Sequence, residues 1–296
     1  MRCSALSEAL GEPMIGSVEQ RVRWLLVEDR SAWGRKATDD VLGAERARDA
    51  KRLGVRLLLI RRREGDPAAD AVRRAILVDT ATREMAIRTV TDLADLDIEA
   101  VAGAPVADFG APLTDPILLV CTNGKRDACC ALRGRALMTA LAIDHAERTW
   151  ECTHLGGHRF AGNLVCLPDG LIYGRVVPTD GPRLAAAYLD CIVDPSLLRG
   201  RSAWPAPAQV AEQALRARDG LTGLDDVRLL DSEVADGHAT VTLATPDGEE
   251  HRFELRADQM APRQISCAAD DLESPIHWRV EVASFAPRSA RAPGTG

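Results

Sequence analysis

Two short segments hold most of the residues able to do inorganic chemistry. The first runs Cys121-Thr-Asn-Gly-Lys-Arg-Asp-Ala-Cys129-Cys130, and the second runs from Glu151-Cys152-Thr153 through His154 and Gly156-Gly157 to His158. Cys121 closes an apolar run, ILLV at 117–120, that reads as a buried strand, and Cys129 and Cys130 open a helical stretch. A strand-loop-helix turn brings its two ends close, so thiolates at both ends can meet one metal centre. The helix start supplies partial positive charge and unpaired N–H groups, which favour thiolate and sulfide, and Lys125 and Arg126 add full charges. His154 and His158 are four apart, which on a helix puts both on one face. Gly156-Gly157 between them instead predicts a tight loop, because glycine costs a helix about 1 kcal/mol and takes backbone angles other residues avoid.

Two thiolates and two imidazoles can bind zinc or a 2Fe-2S centre. Cysteine pairs in zinc fingers usually sit about two to four residues apart. Here they are eight or nine apart, which weakens the zinc reading without excluding it. Spacing alone leaves both open.

The surrounding pattern says what must position these residues. RWLLVE at 23–28, VRLLLI at 55–60, AILVDT at 75–80 and EMAIRTV at 84–90 read as strands, with a charged helix from about Ala37 to Leu53 and a hairpin turn at Ala81 to Arg83. The order then recurs. ILLV is followed by a helix over 129–143 with Leu132, Ala136, Leu137, Ala140 and Leu141 on one face, then TWECT at 149–153. LVCL at 164–167 and LIYGRV at 171–176 flank the turn Pro168-Asp169-Gly170. A closing helix after Thr179 or Asp180 carries Leu184, Tyr188, Cys191 and Ile192 on one face. Aligning WLLVE with ILLVC puts Glu28 where Cys121 lies.

The expected fold class is therefore α/β. The pattern is compatible with two thioredoxin-like domains, a degenerate one (1–110) and a second (111–194) that alone keeps the ligands; the alternative is two unrelated α/β units that share a common local order. A Pro-rich linker over 195–207 leads to a helix near 208–218 and alternating strands, making a small antiparallel tail domain (195–286). Residues 287–296 are expected to be disordered.

Composition bounds the function. The 296 residues carry a net charge of −7, with 46% hydrophobic and 27% charged residues, ordinary for a globular chain. Such a chain has no global attraction for nucleic acid or anionic membrane. No secretory-type apolar core opens the sequence and no run approaches a membrane span, so a cytoplasmic protein is expected. Eight cysteines in a reducing compartment argue for metal binding, redox chemistry or core packing rather than a disulfide framework.

CTNGKRDACCALRGR followed by WECTHLGGHRFAGNLVCLPDGLIYGRV closely resembles the sucrase/ferredoxin-like family, related to thioredoxin-like ferredoxins, and WLLVEDRSAWGRKA resembles that family's opening segment. The likeness covers most of residues 14–192. It implies a 2Fe-2S cluster held by Cys121, Cys130, His154 and His158, with Cys130 fitting the second position because it lies three residues after Arg126-Asp127. Cys129 is the alternative ligand. It also implies electron transfer with a redox partner protein. Replacing two thiolates by neutral imidazoles brings the oxidised site from about −2 to about zero charge, so its potential should exceed that of an all-cysteine ferredoxin and should fall as pH rises through a ligand histidine's pKa. The family name implies no sugar chemistry here: no paired carboxylates suggest a glycosidase, and no catalytic residue is assigned.

Two other readings stay open, a structural zinc site in a non-redox protein and a cluster-free dithiol oxidoreductase. The latter is weakened by the absence of Cys-x-x-Cys. Cys152, Cys166 and Cys191 read as buried packing residues. Cys3 is unplaced, and Cys267 is expected to line the tail sheet. Arg175 reads as an ordinary salt-bridge partner.

Overall fold

The structure, a computed structural model, describes residues 2–62, 73–267 and 271–285. The expectation for 287–296 lies outside the described residues. A short helix α1 (Cys3–Ala9) precedes β1 (Arg23–Glu28), α2 (Ala37–Leu42), α3 (Ala44–Arg52), β2 (Arg56–Arg61), β3 (Arg73–Asp79), β4 (Glu84–Val90), α4 (Ile98–Gly103) and β5 (Ala111–Pro112). Then come β6 (Ile117–Cys121), α5 (Ala128–His145), β7 (Thr149–Cys152), β8 (Leu164–Leu167), β9 (Leu171–Tyr173), α6 (Gly181–Leu189) and β10 (Leu198–Arg201). The chain continues with α7 (Ala206–Asp219), β11 (Arg228–Ala235), β12 (His238–Ala244), β13 (Glu250–Gln259) and β14 (Ile276–Phe285).

The first ten strands form one sheet in the order β10-β9-β8-β6-β7-β2-β1-β3-β4-β5. Its two halves have the same local topology. β1 pairs parallel with β2 and antiparallel with β3, and β3 pairs antiparallel with β4. β6 likewise pairs parallel with β7 and antiparallel with β8, and β8 pairs antiparallel with β9. The halves meet edge to edge where β2 runs antiparallel to β7, pairing Ile60 with Cys152 and Arg61 with Glu151. The architecture is the α/β class expected, with a separate antiparallel four-stranded sheet, β11-β12-β13-β14, after it.

The near-continuous apolar runs in β1 and β6 follow from burial on both faces. Leu25, Val27, Leu59 and Leu77 share a core with Ala37, Leu42 and Val101 of the helices. The alternate positions Trp24, Leu26 and Ile60 share another with Leu119, Cys121, Trp150 and Cys152. The third core joins Leu118 and Val120 to Leu137 and Leu141 of α5, Leu184 of α6, Leu215 of α7 and Phe253 of the tail sheet.

Several expectations change. Gly43 divides the helix expected over 37–53, since its φ of +87° is not helical. Leu132 and Ala136 are exposed, and the buried face of α5 is Cys129, Cys130, Gly134, Leu137, Met138 and Leu141. The supposed linker contains β10, whose residues are all buried against β9. α6 stops at Leu189, leaving Cys191 exposed in a left-handed turn (φ 57°) instead of on a core face.

Candidate metal centre

β6 delivers Cys121 to the end of the sheet, next to Cys152 of β7. The chain then turns at Asn123, whose carbonyl accepts from the Arg126 and Asp127 N–H groups, both at 3.2 Å. Asp127 caps α5: its Oδ1 accepts the Cys129 N–H at 2.9 Å. Cys129 and Cys130 therefore share the first helical turn, and neighbours in a helix diverge by about 100°. Cys130 faces Cys121 and the histidines, with its Sγ 3.5 Å from His158 Nδ1. One turn further on, a Cβ on Gly134 would lie 2.1 Å from the Cys121 carbonyl oxygen. A glycine at this place lets the helix lie against the strand end.

The histidine loop leaves β7 through Thr153, which brackets Leu59 of β2: its N–H donates to the Leu59 carbonyl (2.9 Å) and its Oγ1 accepts the Leu59 N–H (3.0 Å). Gly156 and Gly157 take left-handed angles (φ +84° and +67°) before a single 3₁₀ turn, His158–Phe160. The result is the tight loop expected. The His154 and His158 rings stack with centroids 3.9 Å apart and 12° between planes. The Gly156 N–H donates to His154 Nδ1 at 3.3 Å. His158 is buried at 8% exposure, while His154 is half-buried.

Arg199 of β10 supports this loop from beneath. Its guanidinium donates to Asn163 Oδ1 (2.8 Å), the Gly156 carbonyl (3.4 Å) and the Ser17 carbonyl (3.1 Å), and Asn163 donates to the Gly157 carbonyl (3.2 Å). It packs against the Phe160 ring at 5.2 Å. Burial, with Arg159 and Arg56 nearby, pulls its pKa down to about 9. Gly157 has no room for a side chain, since a Cβ would meet the Arg199 guanidinium at 2.3 Å.

The electrostatics favour a thiolate at Cys121. Hydrogen bonding to Cys130 holds it well below the ordinary thiol range against burial, and His154 and the Leu155 backbone assist. Cys130, the proton-bearing partner, is pushed up. Burial, then the neighbouring His154, pulls His158 down to about 3, which keeps the ring neutral. Two sulfurs and two imidazoles are thus gathered at one place, with one sulfur disposed to be anionic and one ring disposed to be neutral. That donor set suits a soft metal centre.

Cys129 turns elsewhere. With Cys3, Cys267 and Asp127 it forms a second group, whose ligand-type atoms all lie within 4.8 Å of one another, an arrangement able to hold a metal ion. Cys3 comes from α1, and Cys267 follows the tail sheet's third strand instead of lining that sheet. Cys3 and Cys267 are 264 residues apart, so no local spacing relates them. The only signal in the sequence is the Cys129-Cys130 doublet, whose members cannot both face one centre from a helix.

Other residues resolve simply. Cys152 and Cys166 are fully buried in strands, as expected. Arg159 pairs with the buried Glu12 at 2.7 Å. Among the described residues Arg175 pairs with no carboxylate, against the salt bridge expected of it. Its guanidinium donates to the Ser7 carbonyl, Ser7 Oγ and the Glu12 carbonyl at 2.8–3.1 Å, and its backbone N–H donates to the Phe160 carbonyl at 2.8 Å, so this residue after β9 links α1 and the turn after it to the histidine loop.

A cleft of about 280 Å³ opens at His154, lined by Arg35, Lys36, Asp39, Asn123 and Arg126 among others. A second, of about 730 Å³, lies across the Asn123 loop and includes Arg2, Lys125 and Arg135. Among the described residues no helix is long and apolar enough to cross a membrane.

The sequence pattern described as sucrase/ferredoxin-like matches residues 14–200. The chain is also similar to the protein named "Altered inheritance of mitochondria protein 32" in two fungi. It is 36% identical over 78 residues in Meyerozyma guilliermondii and 34% identical over 93 residues in Eremothecium gossypii. Those alignments cover 23% and 26% of this chain and 28% and 30% of the relatives. The chain thus matches less than a third of their length. No solved structure matches.

Proposed function

The chain belongs to the sucrase/ferredoxin-like family, and from that premise we propose that it is an electron-transfer protein whose 2Fe-2S cluster is held by Cys121, Cys130, His154 and His158. One observation carries the reading: Cys130 Sγ lies 3.5 Å from His158 Nδ1, 28 residues away in the chain, with the His154 ring stacked on His158. Bound there, the cluster supplies one-electron chemistry. The chain's own residues do the rest. Cys121 enters as a buried thiolate, and Gly134 holds α5 close enough for Cys130 to share the centre. Arg199 fixes the histidine loop and keeps a cation beneath it. His154 is the ligand nearest solvent, and the cations around its cleft favour an acidic redox partner despite the negative net charge.

Metal analysis tests this. Purified chain should carry about two irons and two acid-labile sulfides, absorb in the visible and bleach with dithionite. Zinc in place of iron at these four residues, or a colourless chain with a reactive Cys121–Cys130 dithiol after iron-replete expression, would remove the proposal.

A further inference from the structure

The second cysteine group lies outside the proposed cluster. Its three sulfurs form a nearly equilateral triangle: Cys3 to Cys129 3.6 Å, Cys129 to Cys267 3.3 Å, and Cys3 to Cys267 3.5 Å. Zinc–sulfur bonds of about 2.3 Å in a tetrahedron place neighbouring sulfurs ~3.8 Å apart. The triangle is therefore close to one face of a zinc tetrahedron. Asp127 stands beside it, with its oxygens 3.9 and 4.0 Å from Cys3 Sγ. Sulfurs on different irons of a cluster would stand further apart, so the spacing fits a single ion.

We propose that Cys3, Cys129 and Cys267 bind one structural zinc ion, with an Asp127 carboxylate oxygen as the fourth ligand. The surroundings are those of a built site. Cys3, Cys129 and Asp127 are at most 1% exposed. Asp127 is fixed by the Cys129 N–H (2.9 Å), the Cys267 N–H (2.8 Å) and Ser266 Oγ (3.0 Å). The sulfurs have donors too: the Cys3 N–H reaches Cys267 Sγ and Ser4 Oγ reaches Cys129 Sγ, both at 3.3 Å. Such outer contacts orient ligands and offset thiolate charge. Three sulfurs crowd round one carboxylate, and of these ligands only Cys267 is partly open to solvent. A divalent cation replaces their protons, which leave to solvent.

The ion ties three remote parts of the chain together: α1, the start of α5, and the segment after the tail's third strand. Its role is mechanical. The residue after Cys129 is the proposed cluster ligand Cys130, so the clamp holds the helix end that presents it.

The two centres can be told apart by which cysteines each metal needs. The chain purified without chelator should hold about one zinc besides any iron. X-ray absorption at the zinc edge should show three sulfurs and one light atom. Cobalt exchanged into the intact chain should give tetrahedral cobalt–thiolate absorption. Cys3→Ser and Cys267→Ser should lose the zinc and be cut faster by protease near both ends, yet retain iron and sulfide. Cys121→Ser should lose iron and keep zinc, so failure of the cluster reading leaves this one standing. The proposal is overturned if the intact chain holds no zinc and takes up no cobalt, if mass spectrometry finds two of the three thiols joined as a disulfide in freshly purified chain, or if the edge spectrum shows zinc on nitrogen ligands.

Discussion

The two halves of the large sheet are a comparison built into one chain. β1 and β6 occupy the same place in their halves, and their last residues, Glu28 and Cys121, fall in one row across the sheet: Cys121 opposite Cys152, Cys152 opposite Ile60, Ile60 opposite Glu28. At the end of β6 the sequence gathers sulfur and imidazole. At the end of β1 the same position is an ion pair, Glu28 with Arg74 at 2.8 Å and Arg30 at 3.3 Å. The topology makes a mouth between strand end and helix start, and the side chains decide what fills it. No cysteine or histidine occurs between Glu28 and Val90, so the first half has no thiolate or imidazole to offer a soft metal centre.

The largest effect should come from removing a ligand. His158→Ala should abolish iron and sulfide retention while leaving secondary structure intact by circular dichroism, since the loop is anchored through Thr153 and Arg199. Retained iron would mean that the two halves differ less than their side chains suggest.

Gly134→Ala comes next. A methyl group 2.1 Å from the Cys121 carbonyl must push α5 off the strand, costing about 1–3 kcal/mol and lowering cluster occupancy. Urea unfolding and iron content measure both, and an unchanged midpoint would show that the close approach is dispensable.

Glu28→Gln should cost roughly 1–2 kcal/mol, because solvent reaches both arginines, with no loss of iron. Burial pushes the Glu28 carboxyl up, but Arg74 and Arg30 outweigh it and hold it below its ordinary value. Its contribution is therefore present above the ordinary carboxylate range and is lost as pH falls through the lower folded value. Urea midpoints of variant and parent should converge in acid; a gap that persists there would contradict the ion-pair account.

Gly156→Ala should have the smallest effect. Its φ of +84° disfavours a side chain, but nothing lies within 4 Å of the added carbon. A cost near 1 kcal/mol is expected, with iron content reduced only slightly. Gly157→Ala, which meets Arg199, should be worse on both measures.

Local signals carried the strands and the histidine loop. Apolar runs bounded by turn residues marked β1, β6 and β8, and paired glycines marked the loop. Long-range pairing was not legible. β10 hides in a proline-rich stretch because its strand character comes from the partner β9 and from buried Arg199 and Arg201, not from its own apolarity. Cys191 leaves the helical face because the apolar periodicity extends past Leu189 while the backbone does not. Cys3 and Cys267 had no local context at all. They come together only because α1 and the segment after β13 both reach Asp127.

The stacked imidazoles are unequal in their access to solvent. The inner ring, His158, is covered on one face by the outer one, so a histidine-directed reagent such as diethyl pyrocarbonate should label His154 first and reach His158 only after the pair has been pried apart. His154 is therefore the member of the pair that meets bulk water first.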